Sequence, residues 1–338
     1  MAADDAAVGQ TVGEEVIVLR VLITGMGGEL GTRVAQLLEA RPEVDEVCGM
    51  DIDPPRRRLY RADFHRIDPR LRHRGTDLVR DFAPDVVAHL GVFEPDARSG
   101  PRLAGALTAS GAVGLFESLD GLPSVSSVVV RSGIEVYGRR RGGPTSPDES
   151  VVPDPTSAFG HALRHVEQVA TDAAHRCDVP LTVLRMAPIV GPHFPSPLGR
   201  LLRLPAVPYS VSGDPPFAVV HQSDAAAAVV AAVLGGVDGV VNVVGPGAVT
   251  ASAAARRGGR VSVPVVGPGW RAARLAAEMA GAPVPDHVAE LLQRGRVADG
   301  TSAAGLLGVA PELGTPEVVE RLYDWPEVTT IRPVGAAT

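Results

Sequence analysis

The sequence predicts an α/β fold in which a doubly wound parallel sheet supports a smaller C-terminal lobe. Short apolar segments rich in β-branched residues recur along the first 245 positions, and segments whose apolar residues have helical spacing separate them. A stretch rich in proline and glycine follows. Short buried strands that alternate with helices are typical of parallel sheets with helices on both faces, so these patterns favour that architecture.

The sheet and its helices are predicted between residues 16 and 245. Residues 1–15 are small, acidic and aperiodic, which predicts a disordered tail. The predicted strands are Val16–Thr24, Val44–Met50, Asp85–Leu90, Ser124–Val130, Leu181–Leu184 and Val240–Val244. The predicted helices are Val34–Leu38, Thr76–Phe82, Arg102–Leu119, Ser157–Cys177 and Ser223–Leu234. This alternation assigns residues 16–185 and 217–245 to one sheet domain.

The remaining residues are predicted to form the smaller lobe. Residues 186–216 and 246–338 are interrupted by many prolines and glycines, with helices expected at Arg271–Met279 and Asp286–Gln293. Ligands of open α/β sheets bind in a crevice at the carboxyl ends of the strands. The lobe is therefore expected to cover that edge and to contact a substrate.

Composition excludes several kinds of chemistry. The 338-residue chain has a formal net charge of −7, and all 32 of its basic residues are arginine. Without lysine, the chain can offer no lysine Schiff base, P-loop lysine or lysine acid/base catalyst. The acidic balance disfavours a nucleic-acid partner, and the triplets Arg56–Arg58 and Arg139–Arg141 are interpreted as solvated loop charge.

Cysteine usage and hydropathy predict a cytoplasmic protein without a metal site. No uncharged apolar run reaches the roughly 18 residues of a membrane span, and residues 1–15 do not resemble a secretory signal. Cys48 and Cys177 lack the spacing of a disulfide scaffold or a thiolate cluster. His161 and His165 have helical metal-ligand spacing but no evident third ligand, so they are interpreted as a solvated helix face.

A glycine-rich loop follows the first predicted strand and opens the first helix. Gly25 suits a tight turn, Gly28 would let a pyrophosphate approach the helix N-terminus, and Gly31 allows close packing of helix on strand. Asp51 follows about twenty residues later, at the end of the next strand. A carboxylate there can accept both ribose hydroxyls of NAD and would repel the 2′-phosphate of NADP. The sheet domain is therefore predicted to be a Rossmann-like domain that binds NAD, with NADP less favoured.

The chain resembles the extended short-chain dehydrogenase/reductase family, in its NAD-dependent epimerase/dehydratase group. The resemblance rests on TGMGGELG (24–31), DID (51–53), VVAHLG (86–91), EVYG (135–138), LRMAPIVGP (184–192), VVHQSDAAAA (219–228) and GVVNVVG (239–245). An actinobacterial branch labelled UDP-glucose 4-epimerase-like is most similar. The cofactor contacts implied by the resemblance, together with the glycine loop, are Gly25, Gly28, Glu29, Leu30, Gly31, Asp51, Asp68, His89, Leu90, Gly91 and Pro188. A homodimer and a sugar-nucleotide ligand are further expectations of the resemblance.

The catalytic positions of that family are not conserved in this chain. The resemblance implies a Tyr and a Lys one helical turn apart, where the Lys lowers the pKa of the Tyr so that it can deprotonate a substrate hydroxyl. Phe159 and Leu163 occupy those two positions. Gly133 stands at the Ser/Thr position that would hold the same hydroxyl, directly after Ser132, and Thr108 replaces the usual Asn. Hydride transfer by the family's mechanism is therefore not expected.

A few polar residues remain as candidate catalysts. Glu135 matches a Glu that assists loss of water in related dehydratases, although Ile134 replaces the Asp that precedes it there. Tyr137 belongs to the VYG turn and is interpreted as structural, and His161 is a weaker candidate on the Phe159 helix. His193 and His221 are interpreted as loop and structural residues.

Three functions are compatible with these patterns. The first is a protein that binds NAD and acts through conformation or partnership, without turnover. The second is an epimerase, dehydratase or oxidoreductase with relocated acid/base groups such as Glu135. The third is a structural subunit without ligand. The intact cofactor signature beside replaced catalytic positions favours the first.

Overall fold

A computed structural model describes residues 18–96, 99–192 and 194–323. The predicted tail, the start of the first predicted strand and His193 lie outside the described residues. The strands are β1 (Leu19–Thr24), β2 (Val44–Asp51), β3 (Asp63–Arg66), β4 (Val86–His89), β5 (Ser127–Gly133), β6 (Leu181–Met186), β7 (Ile189–Val190), β8 (Ala206–Ser210), β9 (Val220–His221), β10 (Gly239–Val243) and β11 (Val261–Val265).

The helices alternate with the strands in the first part of the chain and cluster near its end. They are α1 (Glu29–Leu38), α2 (Arg72–Phe82), α3 (Pro101–Ser118), α4 (Ala158–Cys177), α5 (Pro197–Leu202), α6 (Gln222–Gly235), α7 (Ala251–Arg257), α8 (Gly269–Met279), α9 (Asp286–Arg294), α10 (Ala303–Leu307) and α11 (Thr315–Tyr323). A 3-10 turn, Ile134–Tyr137, follows β5 directly.

The main sheet has seven strands, all paired in parallel, in the order β10-β6-β5-β4-β1-β2-β3. Side chains alternate between its faces, so Val21 and Ile23 pack towards α1 and α6, and Leu22 packs towards α2, α3 and α4. The prediction of a doubly wound parallel sheet is therefore confirmed. The strand order reverses between β1 and β4, which places a ligand crevice at their carboxyl ends.

The C-terminal part contains a separate apolar core. Strands β8 and β11 pair in parallel, and helices α5, α7, α9 and α11 pack with them around a cluster that includes Phe217 and Leu292. The helices predicted at Arg271–Met279 and Asp286–Gln293 correspond to α8 and α9. The strand pair was not predicted, because β11 is half-exposed and contains a proline.

Some element boundaries differ from the predicted ones for physical reasons. Strand β3 was missed, since its sequence DFHR is polar and it forms the exposed edge of the sheet. Helix α2 begins at Arg72 rather than Thr76, and it buries only Val79, so its first turn lacks an apolar signal. Helix α1 begins at Glu29, inside the glycine-rich motif.

Candidate functional site

The loop between β1 and α1 is closely packed at two of its glycines. Gly25 has φ +77°, and an ideal Cβ there would lie 2.7 Å from the backbone nitrogen of Gly91. An ideal Cβ on Gly31 would lie 2.7 Å from Cα of Met26. Real Cβ atoms do not make contacts this short, so both positions require glycine. Gly25 lets the loop approach the residues that follow β4, and Gly31 lets α1 pack against the loop.

Gly28 differs from these two glycines because the space beside it is open. It is the N-cap residue of α1, with φ −69° and ψ 164°, and an ideal Cβ would meet only the carbonyl oxygen of Gly25, at 3.4 Å. No side chain caps the helix, so the first-turn N–H groups, including those of Glu29 and Leu30, point towards the crevice without intrahelical acceptors. Such a helix N-terminus is suited to a phosphate group.

Gly27 is a further requirement of this loop that the sequence analysis missed. An ideal Cβ on Gly27 would overlap the carbonyl oxygen of Asp53 and lie 3.1 Å from Cβ of Asp51. The loop thus packs against the end of β2. The two adjacent glycines of the motif could have signalled this, because only one of them is needed for the ligand.

Asp51 ends β2 beside this loop. One of its carboxylate oxygens accepts a hydrogen bond from the backbone N–H of Ile52, at 2.6 Å. Burial raises the pKa of the Asp51 carboxyl, and backbone N–H groups of Ile52 and Gly27 oppose this shift. Asp51 lines both the crevice and an adjoining apolar cavity, where its free acceptor positions can bind hydroxyl groups.

The apolar cavity lies between β2, β4 and the helices α2 and α3, and Ile67, Leu71 and Leu115 contribute to its walls. His89 also lines it; its Nδ1 hydrogen bonds with Oγ1 of Thr24 at 2.7 Å, and burial lowers its pKa to about 4. The ring is therefore neutral near pH 7. A flat aromatic group such as adenine suits this cavity.

Asp68 does not line this cavity or the crevice. Its carboxylate is paired with the guanidinium of Arg70 at 2.5 Å, which lowers the pKa of Asp68. Its neighbours Ile67 and Pro69 line the cavity instead. This arrangement therefore does not favour a contact between the Asp68 side chain and adenine.

The crevice itself has a volume of about 450 Å³ and joins these parts. Its lining includes residues of the glycine loop from Gly25 to Gly31, together with Asp51, Leu90 and Gly91. Thr108, at the position of the family's Asn, does not line it; Oγ1 of Thr108 accepts a hydrogen bond from the backbone N–H of Phe93. Thr108 thus supports the loop that follows β4.

An inner pocket continues from the crevice towards β5 and α4. The structure brings together there the three positions at which the resemblance implies Ser/Thr, Tyr and Lys, and these are Gly133, Phe159 and Leu163. Pro188 and Glu135 also line the pocket. Phe159 is 8% exposed and Leu163 1%, so the wall is apolar where the family chemistry would need a phenol and a cation.

The carboxylate of Glu135 belongs to a buried charge network. It lies 3.4 Å from Nη1 of Arg296, whose Nη2 donates to Glu290 at 2.6 Å. Arg296 is 2% exposed, and its Nε and Nη1 have no hydrogen-bond partner among the described residues. Arg296 was not predicted as a site residue, because it follows α9 in the C-terminal lobe, far along the chain from Glu135.

Arg131 and Glu94 lie where the inner pocket meets the crevice, and they line both. Burial lowers the pKa of the Arg131 guanidinium, while the carboxylates of Glu94 and Glu135 oppose this shift. Glu94 shares a hydrogen bond with Nε2 of His287 at 2.9 Å, and the His287 ring packs on Phe159 with 4.7 Å between centroids. The lining of the inner pocket thus includes two carboxylates and one guanidinium.

Tyr137 and His161 lie elsewhere. The Tyr137 hydroxyl donates to Oδ1 of Asn242 at 2.8 Å and accepts from Nη1 of Arg185 at 3.1 Å, and burial raises its pKa. Arg185 in turn forms a buried ion pair with Glu167. His161 is exposed on α4, as is His165. Neither Tyr137 nor His161 lines the inner pocket.

The described residues form neither a cluster of three or more potential metal ligands nor a membrane-spanning helix. No group of three or more His, Cys, Asp or Glu side chains there is placed to hold a metal ion. No helix among them is long and apolar enough to cross a membrane.

Comparisons with known proteins agree with this geometry. A model of the NAD dependent epimerase/dehydratase family matches residues 21–245. An uncharacterized protein of Mycobacterium tuberculosis is 32% identical over 323 residues, which cover 90% of this chain and 83% of that protein. A Mycobacterium bovis protein, also uncharacterized, matches with the same identity and coverage.

Solved structures show the same fold. UDP-glucose 4-epimerase of Thermotoga maritima, crystallised with UDP-glucose, superimposes with a TM-score of 0.69 at 20% identity, covering 90% of this chain and 98% of that one. UDP-glucuronic acid 4-epimerase of Bacillus cereus in complex with NAD superimposes with a TM-score of 0.68 at 18% identity, and the same shares of the two chains are covered. MoeE5 in complex with UDP-glucose and NAD superimposes with a TM-score of 0.69 at 22% identity, covering 90% of this chain and 98% of that one.

Proposed function

This chain belongs to the NAD dependent epimerase/dehydratase family, and from that premise we propose that it binds NAD without performing the hydride transfer typical of the family. The observation that carries the proposal is the inner pocket. It has Phe159, Leu163 and Gly133 where the family resemblance implies the Tyr, Lys and Ser/Thr of catalysis. The crevice beside it has a glycine loop, a helix N-terminus without a side-chain cap, and Asp51, which together support dinucleotide binding.

Binding of NAD is supported by groups from three elements. Gly28 leaves room for a pyrophosphate at the N-terminus of α1, and Asp51 offers a carboxylate to the adenosine ribose. The same carboxylate would repel a 2′-phosphate, so we propose NAD rather than NADP. The apolar cavity next to Asp51 would take the adenine. When bound, NAD supplies a hydride acceptor at its nicotinamide ring.

The absence of turnover follows from the groups around the inner pocket. Removing a proton from a sugar hydroxyl requires a positioned base of matched pKa, and such help contributes about 10²–10⁴-fold to a rate. A Phe159 ring cannot take a proton, and the chain contains no lysine that could shift a neighbouring pKa. Two carboxylates remain in the pocket lining, those of Glu94 and Glu135, and the carboxylate of Glu135 is paired with Arg296.

The alternative function is catalysis by relocated groups, and one observation favours it. Glu94 and Glu135 both line the inner pocket, and so does Arg131, whose guanidinium interacts electrostatically with both carboxylates. A carboxylate pair of this kind could hold and release a proton if a sugar nucleotide, the ligand named for several structural neighbours, entered from the C-terminal lobe. Residues 186–216 and 246–338 would then be the substrate lobe, as expected from the sequence.

We also propose a cytoplasmic location. Both cysteines are free thiols, Cys48 is buried and Cys177 is partly buried. Burial raises the pKa of the Cys48 thiol to about 12, with the nearby carboxylates of Asp63 and Glu46 adding to the shift. Free thiols of this kind are typical of proteins in reducing compartments.

One experiment separates the two functions. The purified protein is titrated with NAD and with NADP by calorimetry, and is then incubated with NAD and a panel of sugar nucleotides while NADH absorbance and product mass are followed. We expect NAD binding and no turnover. Turnover that disappears in Glu135→Gln would replace the proposal with the alternative. Failure to bind either dinucleotide would favour a structural subunit.

A further inference from the structure

We infer that a second pocket, outside the cofactor crevice, binds a small organic phosphate. This arginine pocket lies where the loop after Tyr137 meets the C-terminal lobe, and it has a volume of about 510 Å³. Its lining includes Arg139, Arg140, Arg141 and Arg294, and among the residues that the structure describes, no Asp or Glu lines it. The lining of this pocket is thus positively charged, although the chain as a whole has a net charge of −7.

The fold, rather than the local sequence, creates the pocket. The Arg139–Arg141 triplet was expected to be solvated loop charge, but the end of α9 brings Arg294 to it across 155 positions of the chain. Nη2 of Arg139 donates to the carbonyl oxygen of Arg294 at 3.0 Å, and Nη1 of Arg294 donates to that of Arg139 at 3.3 Å. These two guanidiniums are therefore held against each other's backbone carbonyl oxygens.

Neighbouring carboxylates neutralise only part of this charge. Nε of Arg140 pairs with Asp154 at 2.6 Å. Nη1 of Arg294 lies 3.7 Å from Oε1 of Glu290. The other carboxylate oxygen of Glu290, Oε2, already accepts a hydrogen bond from Nη2 of Arg296 at 2.6 Å. Arg141 has no hydrogen-bond or ion-pair partner in the described part of the chain, so its N–H donors are available to a ligand.

The chemistry of the lining favours a phosphate. Guanidiniums bind phosphate oxygens in a bidentate manner, and Ser210 and Ser212, whose hydroxyls lie 3.0 Å apart, can add neutral hydrogen bonds. The volume falls within the range of about 300–1,000 Å³ usual for small-molecule sites, so the ligand is larger than a bare ion. Trp270 lines the pocket and offers an apolar surface to the organic part.

The arginine pocket shares no lining residue with the cofactor crevice or its inner pocket. Its occupancy therefore does not depend on the proposed NAD binding. Failure of the cofactor proposal would leave this inference intact, and the reverse also holds.

The test is calorimetric titration with inorganic phosphate, pyrophosphate, glucose 1-phosphate and uridine diphosphate at low salt. We expect the organic phosphates to bind more tightly than inorganic phosphate, with affinity falling as ionic strength rises. Arg141→Ala and Arg294→Ala should each weaken binding about tenfold, as expected for loss of a charge-assisted hydrogen bond. Arg102→Ala, which removes an exposed arginine on α3, is the matched control and should leave binding unchanged.

A second readout uses the indole itself. In a Trp325→Phe background Trp270 is the single tryptophan, and its fluorescence should respond to glucose 1-phosphate in the parent but not in Arg141→Ala. Equal affinities of Arg141→Ala, Arg294→Ala and Arg102→Ala would overturn the inference. So would binding of inorganic phosphate alone, or of none of the four probes.

Discussion

Glu135 places its carboxylate where the side chain of residue 133 would begin. An ideal Cβ on Gly133 would lie closer than 3.0 Å to Oε2 of Glu135, a separation that real Cβ atoms do not show. The glycine at the Ser/Thr position and the buried glutamate are therefore linked features of one packing arrangement. Arg296 stabilises this arrangement from the C-terminal lobe.

This linkage predicts the outcome of restoring the hydroxyl. Gly133→Ser should lower the free energy of unfolding by about 1–3 kcal/mol, because the new Cβ displaces the carboxylate from its place beside Arg296. Glu135→Ala should also destabilise, since it removes a buried ion-pair partner. The free energy of unfolding of the double variant should fall by less than the sum of the two single losses, and urea unfolding measures it for all three variants. Additive losses would contradict the linkage. Gly105→Ser, in α3 with no atom within 4 Å of its Cβ, is the control.

The glycine loop predicts opposite behaviour for two adjacent residues. Gly27→Ala should destabilise the protein even without cofactor, because its Cβ would overlap the backbone of Asp53. Gly28→Ala should leave the free energy of unfolding within about 0.5 kcal/mol, since its nearest contact is an ordinary 3.4 Å. Gly28→Val should nevertheless abolish NAD binding by filling the pyrophosphate position. Unfolding curves and calorimetry give the two readouts, and NAD affinity unchanged in Gly28→Val would exclude this binding mode.

How far the sequence could predict these features depends on the range of the interactions. The sheet was predictable because runs such as Val86–Ala88 are apolar at every position, and the cofactor loop was predictable because its glycines have fixed spacing. The inner pocket was only half predictable. Aligned positions located Phe159 and Leu163. Arg296 and His287 contact the pocket residues Glu135 and Phe159 from the C-terminal lobe, and no local sequence pattern predicts a contact between residues so far apart in the chain.

Asp51 predicts the choice between dinucleotides. NAD should bind at least about tenfold more tightly than NADP, since a 2′-phosphate would meet the carboxylate at the end of β2. Asp51→Asn should reduce this ratio, mainly by weakening NAD binding, and calorimetry of both ligands measures it. Asp77→Asn, on α2, does not line the crevice and should keep the ratio of the parent. Equal affinity of the parent for NAD and NADP would remove the role given to Asp51.

Tyr137 predicts a loss of stability without a loss of binding. Tyr137→Phe removes hydrogen bonds to Asn242 and Arg185, so it should destabilise the protein by about 1–3 kcal/mol. NAD affinity should stay within about twofold of the parent, because Tyr137 lines neither the crevice nor the inner pocket. A variant of normal stability with weakened NAD binding would show instead that the phenol contacts the ligand.

His89 predicts how stability depends on pH. Its ring is buried, Nε2 has no hydrogen-bond partner among the described residues, and burial lowers its pKa to about 4. In the unfolded chain the pKa is near 6.5, so the unfolded state takes up a proton before the folded state does. The free energy of unfolding should therefore fall as pH drops from about 6.5 to about 4, by roughly 3 kcal/mol from this residue, and the contribution of His89 should not change further below that range.

Urea unfolding between about pH 7.5 and about pH 4 measures this effect. Because His89→Gln has no titratable group at this position, its free energy of unfolding should fall less over this range than that of the parent. His175→Gln, at an exposed histidine of α4, should keep the parent profile. Identical pH profiles for His89→Gln and the parent would show that the pKa of His89 is the same in the folded and unfolded states, and would contradict the prediction.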